Sequence, residues 1–160
     1  MRILSIICLF SLCVAFMNCG GDSPKPNPPV EPTEEEIMKE ALTASGGTWG
    51  AGAGTTVVVT NGTNVNDVTD LLFEGFSITF TDTGYTTTGD SPVWPASDSW
   101  LFKTGTDGTV FVRNHDDMEV TIKSISTTEL QLELEWDQTT YEEGGRVKST
   151  AGTHLFTLKK

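Results

Sequence analysis

The sequence predicts an all-β fold: an antiparallel up-and-down barrel of about eight strands preceded by one short helix, with a two-sheet β-sandwich as the alternative. Three observations carry this expectation. From Trp49 onward apolar residues recur at every second position, the period of a strand, and no segment sustains the helical period. Clusters rich in Gly, Asp and Asn punctuate those runs, as turns between successive strands do. Threonine is abundant and stands beside Val, Ile, Phe and Tyr, residues that suit a pleated surface. Short connections favour an antiparallel meander. Eight strands can close into a barrel that holds either its own side chains or one small ligand, and closure removes the exposed edges.

The chain begins with a different chemistry. Arg2 is followed by an almost wholly apolar run from Ile3 to Met17, broken only by Ser5 and Ser11. Fifteen residues suit the core of a signal peptide better than a membrane span, which needs about 20. Polarity switches at Asn18-Cys19-Gly20-Gly21-Asp22. All three cysteines, Cys8, Cys13 and Cys19, lie in this first stretch, so neither a disulfide framework nor a thiolate metal site is available beyond it. A cysteine at the switch resembles the acylation site of bacterial lipoproteins, with Phe16-Met17-Asn18 departing from the usual Leu and two small residues. That resemblance implies a signal peptide over 1–18, cleavage before Cys19, and diacylglycerol with fatty acyl chains such as palmitate on its thiol. Gly20, in place of the Asp that retains enteric lipoproteins in the inner membrane, implies delivery to the outer membrane, its periplasmic or surface face left open. The alternative is an ordinary secretory signal with an incidental Cys19.

Residues 19–32 read as a tether. Five of the seven prolines lie between Pro24 and Pro32, where fixed φ and missing donors favour extended polyproline II over helix or central strand. A short helix is expected over 33–45. Thr33 and Glu36 have the capping-box spacing, Glu34 to Glu36 sit at the positive end of the helix dipole, and Ile37, Met38, Ala41 and Leu42 offer an apolar stripe. Ser45-Gly46-Gly47 ends it.

The β domain is expected over 46–160. Val57-Val58-Val59 marks one strand. Phe76, Ile78 and Phe80 alternate with polar residues, and Asp82-Thr83-Gly84 turns the chain into Tyr85-Thr86-Thr87-Thr88. Trp100 and Phe102 share a face. Asp107-Gly108 is a hairpin signal, followed by Val110 and Val112 as the apolar positions of the next strand. Asp116-Asp117 leads to Val120 and Ile122. Leu130, Leu132, Leu134 and Trp136 alternate cleanly with Gln131, Glu133 and Glu135, and His154, Phe156 and Leu158 align in the last strand.

Gly47-Thr48-Trp49 looks like the Gly-x-Trp motif that opens the first lipocalin strand. A wider pattern runs through Phe76–Phe80, Gly84–Thr87, Val93-Trp94-Pro95-Ala96-Ser97, Trp100, Phe102, Arg113, Leu130–Leu134, Gly145-Arg146 and Gly152–Phe156. Over roughly residues 46–160 it resembles the lipocalin-like domains of lipoproteins from Gram-negative bacteria. The resemblance implies a lipocalin-type barrel, in a family whose activity is largely undefined. No Thr-Asp-Tyr motif stands late in the chain, and no arginine follows the last strand. Arg113 or Arg146 is then expected to pack over Trp49 at the closed end.

Charge and motif content bound the chemistry. The net charge is −12. Removal of residues 1–18 takes one arginine and no acid, leaving nine basic and 22 acidic side chains and a charge of −13. Nucleic acid, which needs a basic footprint, is excluded as a partner. His115-Asp116-Asp117 is the most reactive-looking cluster, but neighbours in a turn point apart, so a solvated hairpin is expected. Thr104-Gly105-Thr106-Asp107-Gly108 carries one carboxylate where a calcium loop uses several. Gly50, Gly52 and Gly54 lack the following helix and Lys-Ser/Thr of a phosphate loop. His154 is expected as a hydrogen-bonded wall residue.

No catalytic residue, cofactor or metal is expected. The leading expectation is a lipid-anchored, non-enzymatic, monomeric domain that binds a small apolar or amphipathic molecule. Trp94, Tyr85 and Trp100 are its ligand-binding residues, with Trp94 between Pro92 and Pro95 at the barrel mouth. The alternatives are a structural or protein-interaction module with a filled core, and a surface carbohydrate-binding module using the same three rings.

Overall fold

Thr33 starts the only long helix among the described residues. The computed structural model describes residues 29–137, 140–143, 146–149 and 151–160, so the signal peptide, Cys19 and most of the tether lie outside them. The described secondary structure all falls within Glu31–Lys160. Helix α1 (Glu34–Thr43) carries a complete capping box: the Thr33 hydroxyl accepts from the Glu36 amide at 3.2 Å, and the Glu36 carboxylate accepts from the Thr33 amide at 2.8 Å. Leu42 is buried and Met38 partly so, whereas Ile37 is 47% exposed, so the buried stripe is narrower than the sequence suggested. A short 3₁₀ turn (Ala44–Gly46) ends the helix at Gly47. Glycine is required there: its φ is +69°, and an added Cβ would stand 2.2 Å from the Phe80 carbonyl oxygen.

Twelve strands follow among the described residues: β1 (Thr48–Trp49), β2 (Thr56–Asn61), β3 (Asn64–Asp67), β4 (Ser77–Phe80), β5 (Gly84–Thr88), β6 (Ser97–Phe102), β7 (Val110–Arg113), β8 (Glu119–Ile125), β9 (Glu129–Trp136), β10 (Thr140–Glu143), β11 (Arg146–Ser149) and β12 (Gly152–Lys159). A one-turn helix, α2 (Thr69–Leu72), sits between β3 and β4. Ten strands form one antiparallel sheet in the order β1-β4-β5-β6-β7-β8-β9-β12-β2-β3, and β10 and β11 form a separate hairpin. The sheet is curled. Just past β1, the amides of Gly50 and Gly52 donate to the Lys159 carbonyl at 2.8 and 3.0 Å, although β12 stands seven places from β1 in the sheet order. An added Cβ on Gly52 would lie 2.5 Å from the Lys160 carbonyl oxygen, so the glycine permits this approach.

The alternation places the core. Leu130, Leu132 and Leu134 of β9 and His154, Phe156 and Leu158 of β12 are buried, as are Phe76, Ile78 and Phe80. Directly opposed residues in antiparallel strands share a face, and Val57, Phe156, Leu132 and Ile122 line up across four of them. Strand β7 differs from expectation: Phe111 and Arg113 are fully buried, while Val110 and Val112 are not. Phe111 pairs with buried Val120, which sets the register. An arginine occupies an inward position because its charge is matched there, so hydropathy alone pointed to the wrong face.

Four elements went unforeseen: β3, α2, β10 and β11. The two-residue loop Gly62-Thr63, with Gly62 at φ +60°, carries the β2–β3 turn. The Asp67 carboxylate accepts from the Thr69 amide and hydroxyl at the start of α2.

Candidate functional site

Tyr85 lies on β5, Trp100 on β6, and Trp94 in the loop 89–96 between them. All three rings are buried, with 2%, 2% and 4% exposure respectively, and so present no exposed stacking platform. Trp94 is turned inward. Its ring meets Tyr85 edge-on at 5.4 Å and Phe156 edge-on at 5.7 Å, and tilts against Phe76 at 6.3 Å. Trp100 belongs to a neighbouring group with Phe80, Phe102 and Phe111, and its indole N–H donates to the Gly84 carbonyl at 3.1 Å. Phe80 joins the two groups, 6.2 Å from Tyr85 and 6.1 Å from Trp100.

The Trp94 loop is tied at several points. The Ser91 hydroxyl accepts from the Trp94 amide at 2.9 Å. The Thr87 hydroxyl donates to the Pro95 carbonyl at 2.9 Å, and Arg113 Nη1 donates to the Val93 carbonyl at 2.7 Å. Arg113 is the residue sequence reading misplaced. Its guanidinium is fully buried, forks onto the Asp116 carboxylate through Nε and Nη2, and lies over the rings of Trp94 at 5.2 Å and Trp136 at 5.7 Å. It does not pack over Trp49. Lys160 does, with Nζ 3.8 Å from the Trp49 ring centroid and donating to the Ala44 carbonyl at 2.7 Å. The physical cause is the curl: the end of β12 returns to the end of β1 and delivers Lys160, while β7 points Arg113 towards Trp94. The Arg146 side chain lies outside the described residues.

Three buried polar atoms near this group have no hydrogen-bond partner: Tyr85 Oη, Trp94 Nε1 and His154 Nε2. His154 is fully buried, stacked on Phe156 at 6.3 Å and edge-on to Phe73 at 6.4 Å. Burial lowers its pKa, outweighing the opposing effects of the Gly152 carbonyl and Glu135, so the ring is neutral. Its Nδ1 lies 3.0 Å from the Gly152 carbonyl, which can only accept, so Nδ1 holds the proton and Nε2 is left as a bare acceptor. Burial also pushes the Tyr85 phenol well above its ordinary pKa. The nearby Arg113 charge opposes that rise.

His115 is more structured than a solvated turn. Its Nδ1 pairs with Asp98 at 2.8 Å, and its Nε2 lies 3.4 Å from Asp116. Burial acts to raise the Asp98 pKa, but hydrogen bonds from the His115 ring and amide and the Ser99 amide outweigh it, and the net shift is downward. Among the described residues no group of three or more His, Cys, Asp or Glu side chains is placed to hold a metal ion. An apolar surface cleft of about 260 Å³ lies apart from the aromatic group, between the end of α1 and the β8–β9 turn, and Lys160 borders it.

The aromatic group is therefore a packed interior that carries three buried polar atoms. The chain was compared with protein-family models, curated proteins and solved structures, and none of them matches it.

Proposed function

We propose that the chain is a lipoprotein anchored to the outer membrane through Cys19, and that its β domain is a lipocalin-like barrel that binds a small apolar or amphipathic molecule without catalysing a reaction. The barrel reading is supported by the two ends of the sheet. β1 and β2 are consecutive in the chain, separated only by residues 50–55, yet β1 pairs with β4 and β2 with β12. Counted as one bent strand, they make eight with β4 to β9 and β12. Gly50, Gly52 and Gly54 then mark the corner, with β3 and the β10–β11 hairpin as additions.

The observation that carries the binding reading is the trio of buried, unpartnered polar atoms on Tyr85, Trp94 and His154. Native interiors pair nearly all such groups, because a buried donor or acceptor without a partner forfeits its hydration. A ligand that supplies the partners removes that cost. Native mass spectrometry of the protein purified from its own cells tests the reading: a co-purifying small molecule lost on unfolding supports it, and bare protein together with failure to bind any apolar probe refutes it.

A second reading, a structural or protein-interaction module with a filled core, is favoured by one specific observation. Trp49, Phe76, Phe80 and Trp100 are almost wholly buried; the last three pack against other rings of the domain, and the Trp49 indole N–H donates to the Leu42 carbonyl. The same mass measurement separates the two.

A further inference from the structure

We propose that the cleft between the end of α1 and the β8–β9 turn binds a short-chain monocarboxylate on the outside of the domain, with Lys160 as its counter-ion. This site is separate from the interior of the sheet, so it stands whether or not that interior holds a ligand.

Three segments distant in the chain build the cleft. The end of α1 and the 3₁₀ turn after it supply Ala41 and Ala44, the β8–β9 turn supplies Ile125 and Ser126, and the chain beyond β12 delivers Lys160. Ile125 is partly buried against the core, and the short side chains of Ala41 and Ala44 leave a volume of about 260 Å³. Pockets for drug-sized ligands hold about 300–1,000 Å³, so the apolar body of an occupant has to be short. The Ser126 hydroxyl is spent within its own turn: it accepts from the Thr128 and Glu129 amides at 3.3 and 3.0 Å and donates to the Glu129 carbonyl at 3.3 Å. Lys160 is thus the charged group of an otherwise mostly apolar wall.

Charge sets the ligand class. No Asp or Glu lines the cleft, although the chain carries 22 acidic side chains. Lys103, Lys123 and Lys159 each pair with a glutamate, whereas Lys160 has no carboxylate partner among the described side chains. Its Nζ lies 3.8 Å from the Trp49 ring centroid and donates to the Ala44 carbonyl at 2.7 Å. An ammonium has three donors, so two remain. Burial lowers its pKa, and no carboxylate opposes the shift. A carboxylate in the cleft would supply the missing anion while Ala41, Ala44 and Ile125 cover its chain. An amine would meet a like charge, and a neutral alcohol would leave the ammonium unpaired. One cation also matches one carboxylate better than the near-double charge of a phosphate monoester. The acidic surface opposes anions at long range, but that field is screened beyond about 8 Å at physiological salt, so the contact with Lys160 decides. Lys160 also stands at the C-terminal end of α1, where a cation supports the helix.

The test titrates the full chain, labelled with nitrogen-15, at pH 7 with octanoate, 1-octanol and octylamine, each below its aggregation concentration, and follows the backbone amides by NMR. Octanoate should shift the amides of Ala44, Ser45, Ser126 and Thr127 saturably and bind at least about fivefold more tightly than the alcohol or the amine. Lys160→Gln should weaken octanoate about fivefold, the scale of one solvent-accessible ion pair, and Lys160→Arg should restore it. Ala41→Leu keeps a strong helix former and fills the cleft, so it should abolish binding without lowering the melting temperature. Equal affinity for the three probes overturns the proposal, as does octanoate binding that persists in Ala41→Leu. A Lys160→Gln protein that melts lower yet binds octanoate as before assigns Lys160 to support of α1 alone and overturns it too. Shifts confined to Trp94, Phe156 and their neighbours would overturn the cleft and support a ligand in the interior instead. The absence of any saturable shift overturns the cleft and leaves the interior reading to its own mass measurement.

Discussion

Replacing Arg113 with methionine keeps an unbranched apolar stem on the inner face of β7 and removes the guanidinium. The Val93 carbonyl then loses a charged donor at 2.7 Å, a class of bond worth about 1.5–3 kcal/mol. Loss of the contacts with Trp94 at 5.2 Å and Trp136 at 5.7 Å adds about 0.5–2 kcal/mol. Asp116 loses its partner but is 24% exposed at the side chain, so its stranded charge costs less than the roughly 3–5 kcal/mol of a fully buried broken pair. Recovered desolvation of the guanidinium offsets part of the total, leaving a net destabilisation of about 3 kcal/mol. With a urea slope of about 1–3 kcal/mol/M for a small domain, the unfolding midpoint should fall by roughly 1–3 M. Chemical denaturation of Arg113→Met, Asp116→Asn and the double variant should return a coupling of about 1–3 kcal/mol. The half-exposed pair Lys103–Glu119, at 2.6 Å, is the control, and Lys103→Met should change stability by no more than about 0.5 kcal/mol. An Arg113→Met loss below about 1 kcal/mol, or a coupling of zero, would refute the assignment of this arginine as the tie between β7 and the Trp94 loop.

Leu132 is fully buried while Glu133 reaches solvent; Leu132→Ala should cost about 2–5 kcal/mol and Glu133→Ala no more than about 0.5 kcal/mol in urea melts, and equal costs would mean that the inner face of β9 is misassigned. Because the folded-state pKa of His154 lies below its unfolded value, the unfolded chain takes up a proton first as pH falls. Stability tied to neutral His154 is thus complete above about pH 6.5 and is lost as pH falls towards the folded pKa; His154→Phe should flatten the melting temperature between pH 7 and 5, and an unchanged slope counts against a buried neutral ring. Asp98, with its pKa lowered, contributes stability that is complete above about pH 4 and fades as pH drops further; Asp98→Asn should reduce the acid sensitivity of unfolding below pH 4, and an identical acid profile would remove the His115–Asp98 pair from the account. Cys19→Ala should abolish metabolic labelling with a fatty acid, and label that persists in the variant would sink the anchoring proposal.

The strand period and turn chemistry were readable from sequence because they are local. Leu130, Leu132 and Leu134 announce their face by alternation alone, Asp107-Gly108 announces a turn, and Thr33 with Glu36 announces a helix start; each depends on residues within a few positions of one another. Buried Phe76, Phe80, Trp100 and Phe156 were legible for the same reason, whereas buried Phe73 and Phe111 were not. What those residues touch was not. Arg113 reads as a candidate to pack over Trp49, whereas Asp116, the Val93 carbonyl and two indoles surround it, and Val93 stands 20 positions away. Lys160 reaches Trp49 only because the sheet curls and returns the end of β12 to the end of the first strand. The unpartnered state of Tyr85, Trp94 and His154 is likewise a property of packing, since a hydroxyl or ring nitrogen in a sequence carries no record of whether a partner lies opposite. Alternation and turn residues thus determined the class of fold and most of the buried apolar side chains, whereas charge pairing, the curl of the sheet and the unmet hydrogen bonds arose only when strands distant in the chain were brought side by side.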